Sequence, residues 1–93
     1  LMAVKRDFAF VLDQGIEAEK VVKAAKGADK QLISDVIVFD RFAGGALDPG
    51  KMSLAIEVTL QPREKTLTEE EIEELSQKVV AQVHKATGGT LRS

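Results

Sequence analysis

Strand-like patterns in three segments, with helical periodicity in two others, restrict this chain to a mixed fold. Alternation of apolar and polar residues predicts strands over Val4–Leu12 and Met52–Leu60, and a run of β-branched residues predicts a strand over Leu32–Phe42. Apolar residues at helical spacing predict helices over Glu17–Ala28 and from Thr68 to Gly88-Gly89. Thr90–Arg92 can form a short closing strand, which gives the order β-α-β-β-α-β.

The strongest local signature lies at the start of the second helix. Thr68 and Glu71 have the spacing of a capping box, and Leu67 and Ile72 flank it as a hydrophobic staple. Glutamates in the first turn suit the positive end of the helix dipole, and Gly88 is suited to ending the helix. These features predict a stable second helix.

The connection between the second and third strands is predicted to be a hairpin loop. Pro49-Gly50 has the sequence of a type II turn, in which proline presets φ and glycine takes a positive φ. In the strand before it, Val36–Phe39 is apolar on both sides, so its facing is ambiguous. A bulge there would exchange the two faces.

Because each strand has an apolar face and each helix an apolar stripe, the economical architecture is α+β. It is a ferredoxin-like βαββαβ sandwich, a four-stranded antiparallel sheet with both helices on one face. The first and third strands are then central. The other sheet face stays open and presents Asp7, Ala9, Val11, Ser53, Ala55, Glu57 and Thr59.

Length and composition exclude several classes of function. The 93 residues suffice for one domain, the chain has no cysteine, and it has one histidine, His84. Disulfides, thiol catalysis, iron–sulfur clusters and histidine or cysteine metal cages are therefore excluded. No apolar run reaches the roughly 18 residues of a membrane helix. The opening at Leu1, directly before a strand, predicts a piece excised from a longer chain.

Charge is distributed unevenly around a net charge of −2. Residues 68–77 hold five glutamates and no lysine or arginine, whereas the rest of the chain has 13 basic and 10 acidic groups. A modest anion-binding surface is therefore possible away from the second helix.

An open antiparallel sheet is a natural platform for unpaired RNA bases. Phe8 and Phe10 are in phase with the core, but Phe42 ends the second strand, where a core role is less secure. Phe42 is either packed at the rim or exposed as a stacking surface. No arrangement of residues favours catalysis, and fold alone assigns no function.

Four stretches together resemble the ferredoxin-fold anticodon-binding domain, which is the C-terminal domain of the bacterial phenylalanyl-tRNA synthetase β subunit. In order, they are Val4–Val11, Val38–Phe42, Gly50–Ala55 and Leu60–Thr68 with the glutamates that follow. The resemblance covers essentially the whole chain, so residues 1–93 are expected to be one such domain.

The resemblance implies a non-catalytic module that grips the anticodon stem-loop of tRNA(Phe). The parent would be a cytoplasmic ligase of two α and two β subunits, not bound to a membrane. Its ATP- and magnesium-dependent chemistry would lie in the α subunit, and this chain would hold no cofactor. Its partners would be the tRNA, the other β-subunit domains and the α subunit.

The resemblance also implies the site residues. The family's anticodon contacts come from the end of the second strand and the start of the third. They match Asp40 and Phe42, and Lys51 and Ser53, with Ala9 as the small residue on the first strand. Phe42 stands where the family often has tyrosine, so it keeps the ring and loses the hydroxyl.

The geometry of the hairpin agrees with these site residues, because it places Phe42 opposite or nearly opposite Ser53 and Asp40 near Ala55. A carboxylate suits the two N–H donors on the Watson–Crick edge of guanine. Phosphates are expected at Arg6, Arg41 and Lys51, and secondarily at Arg63, Lys65 and Arg92. The alternative is a protein-interaction or small-ligand regulatory domain on the same fold, with the open sheet packed against a partner.

Overall fold

A computed structural model describes residues 1–92. Six elements follow one another in the predicted order. They are β1 (Val4–Asp13), α1 (Ala18–Lys26), β2 (Ile33–Ala43), β3 (Lys51–Leu60), α2 (Glu69–Thr87) and β4 (Thr90–Leu91). Each boundary lies within two residues of its predicted position.

The four strands form one antiparallel sheet in the order β2-β3-β1-β4, with β3 and β1 at its centre. β1 and β3 pair over their whole lengths, from Val4 opposite Leu60 to Asp13 opposite Lys51. Apart from Arg6, the even-numbered residues of both strands form one hydrophobic cluster with the buried stripes of both helices, so the helices share one face. The predicted ferredoxin-like α+β fold and its central strands are confirmed.

The caps of α2 are formed as predicted. The Thr68 hydroxyl accepts from the Glu71 backbone N–H at 3.1 Å, and the Glu71 carboxylate accepts from the Thr68 backbone N–H at 3.0 Å. That backbone hydrogen bond, aided by nearby Lys65, lowers the pKa of Glu71. At the other end Gly88 takes a φ of 77°, the left-handed conformation that glycine favours.

The β2–β3 hairpin also follows its sequence. Gly50 has a φ of 80°, and the Lys51 backbone N–H donates to the Asp48 carbonyl at 3.1 Å, closing the predicted turn. In β2, where the facing of Val36–Phe39 was ambiguous from the sequence, a bulge lies between Val38 and Asp40, with a second irregularity between Ile33 and Asp35. Phe39 is the residue left without an opposite partner, and it is exposed.

Each bulge in β2 shifts the alternation by one residue. Val36 is therefore buried among the core residues, while Ile37, opposite Glu57, lies on the open face. After the second bulge, Asp40 and Phe42 return to the open face. Among the described residues, neither helix has the length and apolar character needed to cross a membrane.

Candidate nucleic-acid interface

The predicted site lies at one end of the open sheet face, where three strands place side chains in two rows. One row contains Val11, Ser53 and Phe42, and the next contains Ala9, Ala55 and Asp40. Directly opposite residues in an antiparallel sheet share a face, so these six side chains belong to one surface. The predicted pairing of Phe42 with Ser53 and of Asp40 with Ala55 is confirmed.

Phe42 keeps a substantial part of its surface accessible, at 40% exposed, and it is not a core residue. The guanidinium carbon of Arg92 lies 4.9 Å from the centre of its ring, which is a cation–π contact. Arg92 follows β4 at the far edge of the sheet, so its side chain extends across the open face towards β2. A flat cation thus covers a ring face on which a base would stack.

Ser53 departs from expectation because it lies on the open face and yet is only 2% exposed. Nη1 of Arg92 donates to its hydroxyl oxygen at 3.4 Å, and Phe42 lies directly opposite on β2. The expectation that Ser53 faces solvent is therefore wrong, because Arg92 covers the hydroxyl. RNA would reach the Ser53 hydroxyl only after Arg92 moved.

Asp40 is the exposed acceptor of the site. One carboxylate oxygen, Oδ1, accepts from the Arg41 backbone N–H at 2.9 Å, which fixes the side chain. Its neighbours across the sheet, Ala55 and Ala9, are small and leave room beside it. The remaining lone pairs of this carboxylate are available to two N–H donors on a base edge.

Lys51 lies on the open face two residues before Ser53, but it already has a partner. Its Nζ is 2.7 Å from Oδ1 of Asp13, the residue directly opposite on β1. Both side chains are substantially exposed, at 41% and 69%. A phosphate at Lys51 must compete with this ion pair.

Two other predicted cations have helix-side registers, so the expectation that they cluster on the open face is wrong, while their contact with RNA stays a prediction. Arg6 pairs with core residue Val58, lies on the helix side, and has Nη2 3.9 Å from Glu69. Arg41 lies opposite core residue Leu54, which gives it the helix-side register, although it lines a shallow cavity together with Phe42. The sequence contained the signal for Arg6, because Arg6 is in phase with Phe8 and Phe10.

The three secondary cations are also divided between the two sides of the sheet. Nε of Arg63 donates to the Gln31 carbonyl at 2.9 Å, and Nζ of Lys65 lies 3.6 Å from Glu71, so both belong to the helix side. Only Arg92 reaches the open face, which sequence periodicity did not indicate. Over residues 1–92 no group of three histidine, cysteine or carboxylate side chains is placed to hold a metal ion.

A family model described as "Ferredoxin-fold anticodon binding domain" matches residues 2–92. Three similar proteins are phenylalanine–tRNA ligase beta subunits. That of Ruegeria pomeroyi is 64% identical over 92 residues, covering 99% of this chain and 12% of the relative. That of Paramagnetospirillum magneticum is 60% identical over 92 residues, with coverages of 99% and 12%.

The third relative, from Bradyrhizobium diazoefficiens, is 58% identical over 90 residues, covering 97% of this chain and 11% of the relative. The chain therefore spans only about an eighth of the length of the curated relatives it matches. The match to the family model extends over nearly every residue and confirms the resemblance drawn from the four motifs. This chain belongs to the ferredoxin-fold anticodon binding domain family.

Proposed function

We propose that this domain recognises the anticodon stem-loop of tRNA(Phe) on the open sheet face beside the β2–β3 hairpin, and that it is itself non-catalytic. The observation that carries the proposal is the shared surface of Phe42, Asp40 and Arg92: an aromatic ring, a carboxylate and a guanidinium. Each of these groups contacts unpaired bases or phosphates in known modes of single-strand recognition. Family membership and the names of the relatives support the same reading.

In this proposal Phe42 supplies a sequence-tolerant stacking surface and Asp40 supplies selectivity for guanine. A base that stacks on the covered ring face takes the place of the Arg92 guanidinium. Arg92 is then free to stack on the base or to bind a phosphate, and the Ser53 hydroxyl becomes accessible. Binding of a base thus replaces the contact between Arg92 and the Phe42 ring with a contact between the base and that ring.

At the level of the whole protein, we propose that residues 1–93 form one domain of a longer phenylalanine–tRNA ligase β subunit. The support is the matched relatives, of which the chain covers 11% or 12%. The assembly would be a cytoplasmic heterotetramer of two α and two β subunits. Its ATP- and magnesium-dependent chemistry is assigned to the α subunit, and no residue of this chain is assigned to it.

The direct test is titration of a tRNA(Phe) anticodon stem-loop into the chain at two salt concentrations. A matched control is a stem-loop with the same stem and a changed first anticodon base. Weak binding is expected, because the chain is net negative and few cations face the site. Each phosphate contact contributes about 0.7 to 0.9 to the salt slope, so affinity should fall steeply as salt rises.

Two results would contradict the proposal. Equal affinity for both stem-loops would remove base recognition from this face. ATP-dependent aminoacylation by the chain alone would show that it is not a non-catalytic module.

A further inference from the structure

The open sheet face continues beyond the proposed RNA site, towards the start of β1. One row past Ala9 and Ala55, Asp7 lies directly opposite Glu57, and these two carboxylates are termed the acidic row. Successive rows on one face are about 7 Å apart, because a strand rises about 3.3 Å per residue and alternates its faces. The acidic row therefore borders the two alanines on the side away from Phe42.

The acidic row is an unfavourable arrangement for the sheet by itself. Opposite residues of an antiparallel pair have Cβ atoms about 4.5–5.5 Å apart, and like charges at that distance are destabilising. Nζ of Lys5 lies 3.7 Å from Oε1 of Glu57 and compensates that carboxylate in part. Asp7 is exposed and belongs to no ion pair within residues 1–92. The row thus keeps a negative charge that opposes strand pairing.

The charges next to the acidic row leave this half of the open face negative. The following row contains Asp35 on β2 and Lys5 on β1, so three carboxylates share one ammonium in the two rows. The other cations of this face lie at its opposite end. Lys51 is three rows from the acidic row, and the Arg92 guanidinium lies over the Phe42 ring, two rows away.

Two further side chains come close to Asp7, because His84 and Arg92 line a cleft with it. Nδ1 of His84 lies 3.1 Å from the Gly89 carbonyl, and Nη1 of Arg92 donates to the Ser53 hydroxyl at 3.4 Å. Neither forms an ion pair with Asp7. The Asp7 carboxylate therefore has no partner of opposite charge among the described residues.

We infer that the acidic row orients the bound nucleotide and ends the RNA path across the sheet, an inference that rests on the proposed RNA function. Asp7 and Glu57 repel phosphates, whereas Lys51 and Arg92 attract them. The Watson–Crick edge of guanine lies at the end of the base away from the sugar. Phosphates held near Lys51 therefore place that edge over the two alanines, towards Asp40 and the acidic row.

The acidic row thus determines specificity by exclusion. A base without suitable N–H donors gains nothing at Asp40, so it is held by stacking and phosphate contacts, which a reversed nucleotide also makes. In the reversed position the phosphates lie over the acidic row and are repelled. Guanine in the favoured position keeps its phosphates two or three rows away. Removal of the negative charge should therefore help other bases more than guanine.

The first test uses Asp7→Asn and Glu57→Gln, which keep the size of each side chain and remove its charge. Each should strengthen binding of stem-loops without guanine at the first anticodon base by about threefold at low salt, the effect of one charge about 7 Å away in water. Affinity for the guanine stem-loop should rise by less than about twofold, because its phosphates lie beyond a Debye length of about 10 Å. The preference for guanine should therefore fall.

Glu74→Gln is the matched control, because Glu74 is exposed on α2 and its substitution changes the net charge by the same amount. This variant should leave affinity and preference unchanged. The melting temperature of Asp7→Asn should not fall, because a neutral side chain relieves the like-charge pair. A change in RNA preference without loss of stability separates a positioning role from a structural one.

The second test locates the RNA backbone directly. A nitroxide label is attached to the phosphate before the first anticodon base, and broadening of the amide signals is followed by NMR. In the complex with the unaltered chain, the label should broaden amides near Lys51 and Arg92 and spare residues 5–7. In the double variant Asp7→Asn, Glu57→Gln, broadening should extend to residues 5–7.

Failure of this inference is distinguishable from failure of the proposed function. If Phe42→Ala and Asp40→Ala weaken binding and guanine preference but Asp7→Asn changes neither, the RNA site stands and the acidic row has no role in it. Weaker binding by Asp7→Asn would show a direct contact with RNA and overturn exclusion, as would broadening of residues 5–7 in the unaltered chain. If the unaltered chain showed no preference for guanine, the proposed function and this inference would both fail.

Discussion

Phenylalanine occurs on both faces of this sheet, but in different environments. Phe10 points towards the helices and is 0% exposed, whereas Phe42 points away from them and is 40% exposed. Phe10 lies in a continuous cluster that every helix and long strand contributes to. Phe42 has an arginine on its ring and a serine opposite.

The comparison shows that the buried core residues and the residues of the proposed RNA site lie on opposite faces of the sheet. The helix-covered face buries aliphatic and aromatic side chains, which supply the main driving force for folding. The open face is held by a few polar contacts at its Phe42 end, which water and ligands can replace. Substitutions on the helix-covered face should therefore change the free energy of unfolding, and substitutions on the open face should change RNA affinity.

The largest effect is expected from truncating the same residue type on each face. Phe10→Ala should lower the free energy of unfolding by about 3–5 kcal/mol, because it opens a cavity in the core. Phe42→Ala should lower it by only about 1 kcal/mol, the scale of a lost cation–π contact. Urea denaturation of both variants tests this, and equal losses would show that Phe42 is a core residue.

Loss of the Phe42 ring should instead appear in RNA binding. Phe42→Ala should weaken binding of the anticodon stem-loop by about 1–3 kcal/mol, the value of one base–aromatic stack. Ile37→Ala is the matched control, because Ile37 is an exposed apolar residue on the same strand and face. If both variants lost the same affinity, binding would not be centred on Phe42.

A comparable effect, in selectivity, is expected at Asp40. Asp40→Ala should reduce the preference for guanine at the first anticodon base by about 1–3 kcal/mol, since it removes an acceptor for a base edge. Asp35→Ala is a close control: Asp35 accepts from the next backbone N–H at 3.0 Å, as Asp40 does at 2.9 Å. Stem-loops varied at that base measure the preference, and an unchanged preference in Asp40→Ala would contradict its role.

The sequence predicted most of the fold because its local signals agree with one another. Strand alternation in β1 and β3, the capping box at Thr68 and the turn at Gly50 each determine structure over a few residues. The bulge in β2 was expected as an ambiguity in Val36–Phe39, but its position depends on pairing with β3. Pairing is a long-range property that a single strand does not specify.

The site was predicted less completely, for a similar reason. Phe42, Asp40 and Ala9 were placed correctly because hairpin register and alternation determine their face. Covering of Ser53 by Arg92 was not predicted, because it depends on a long side chain that crosses strands distant in sequence. Arg6 was expected on the open face because of its charge, although its alternation with Phe8 and Phe10 assigns it to the helix side.

A smaller effect is expected at the cap of α2, on the helix-covered face. Thr68→Ala should lower the free energy of unfolding by about 0.5–2 kcal/mol, because the Glu71 backbone N–H loses its acceptor. RNA affinity should not change. Thermal unfolding tests the first point, and an unchanged melting temperature would mean that the cap contributes nothing.

The same cap should show a pH dependence. The pKa of Glu71 is lowered in the folded state, chiefly by its hydrogen bond from the Thr68 backbone. Its contribution is therefore complete above the unfolded pKa of about 4.3, and it is lost as pH falls through the lower folded value. Glu71→Gln keeps an acceptor that does not titrate, so the stability of this variant should fall less on acidification.

The smallest effect is expected at Lys51, which forms an ion pair with Asp13 on the open face. Lys51→Ala should weaken all stem-loops alike and reduce the salt slope by about 1, because it removes one phosphate contact and no base contact. Asp13→Asn should do the opposite. It frees the Lys51 ammonium from a 2.7 Å ion pair, so binding should strengthen by at most about 1 kcal/mol, the upper range for an exposed pair.

Both variants must leave guanine preference unchanged, since neither residue is adjacent to Asp40 in the sheet. Titration of the varied stem-loops at two salt concentrations separates the two quantities. If Asp13→Asn left affinity unchanged while Lys51→Ala lowered it, Lys51 would bind phosphate without leaving Asp13. If neither variant changed the salt slope, the phosphate contacts of this face would have to come from Arg92 or Lys5, which lie on the same face.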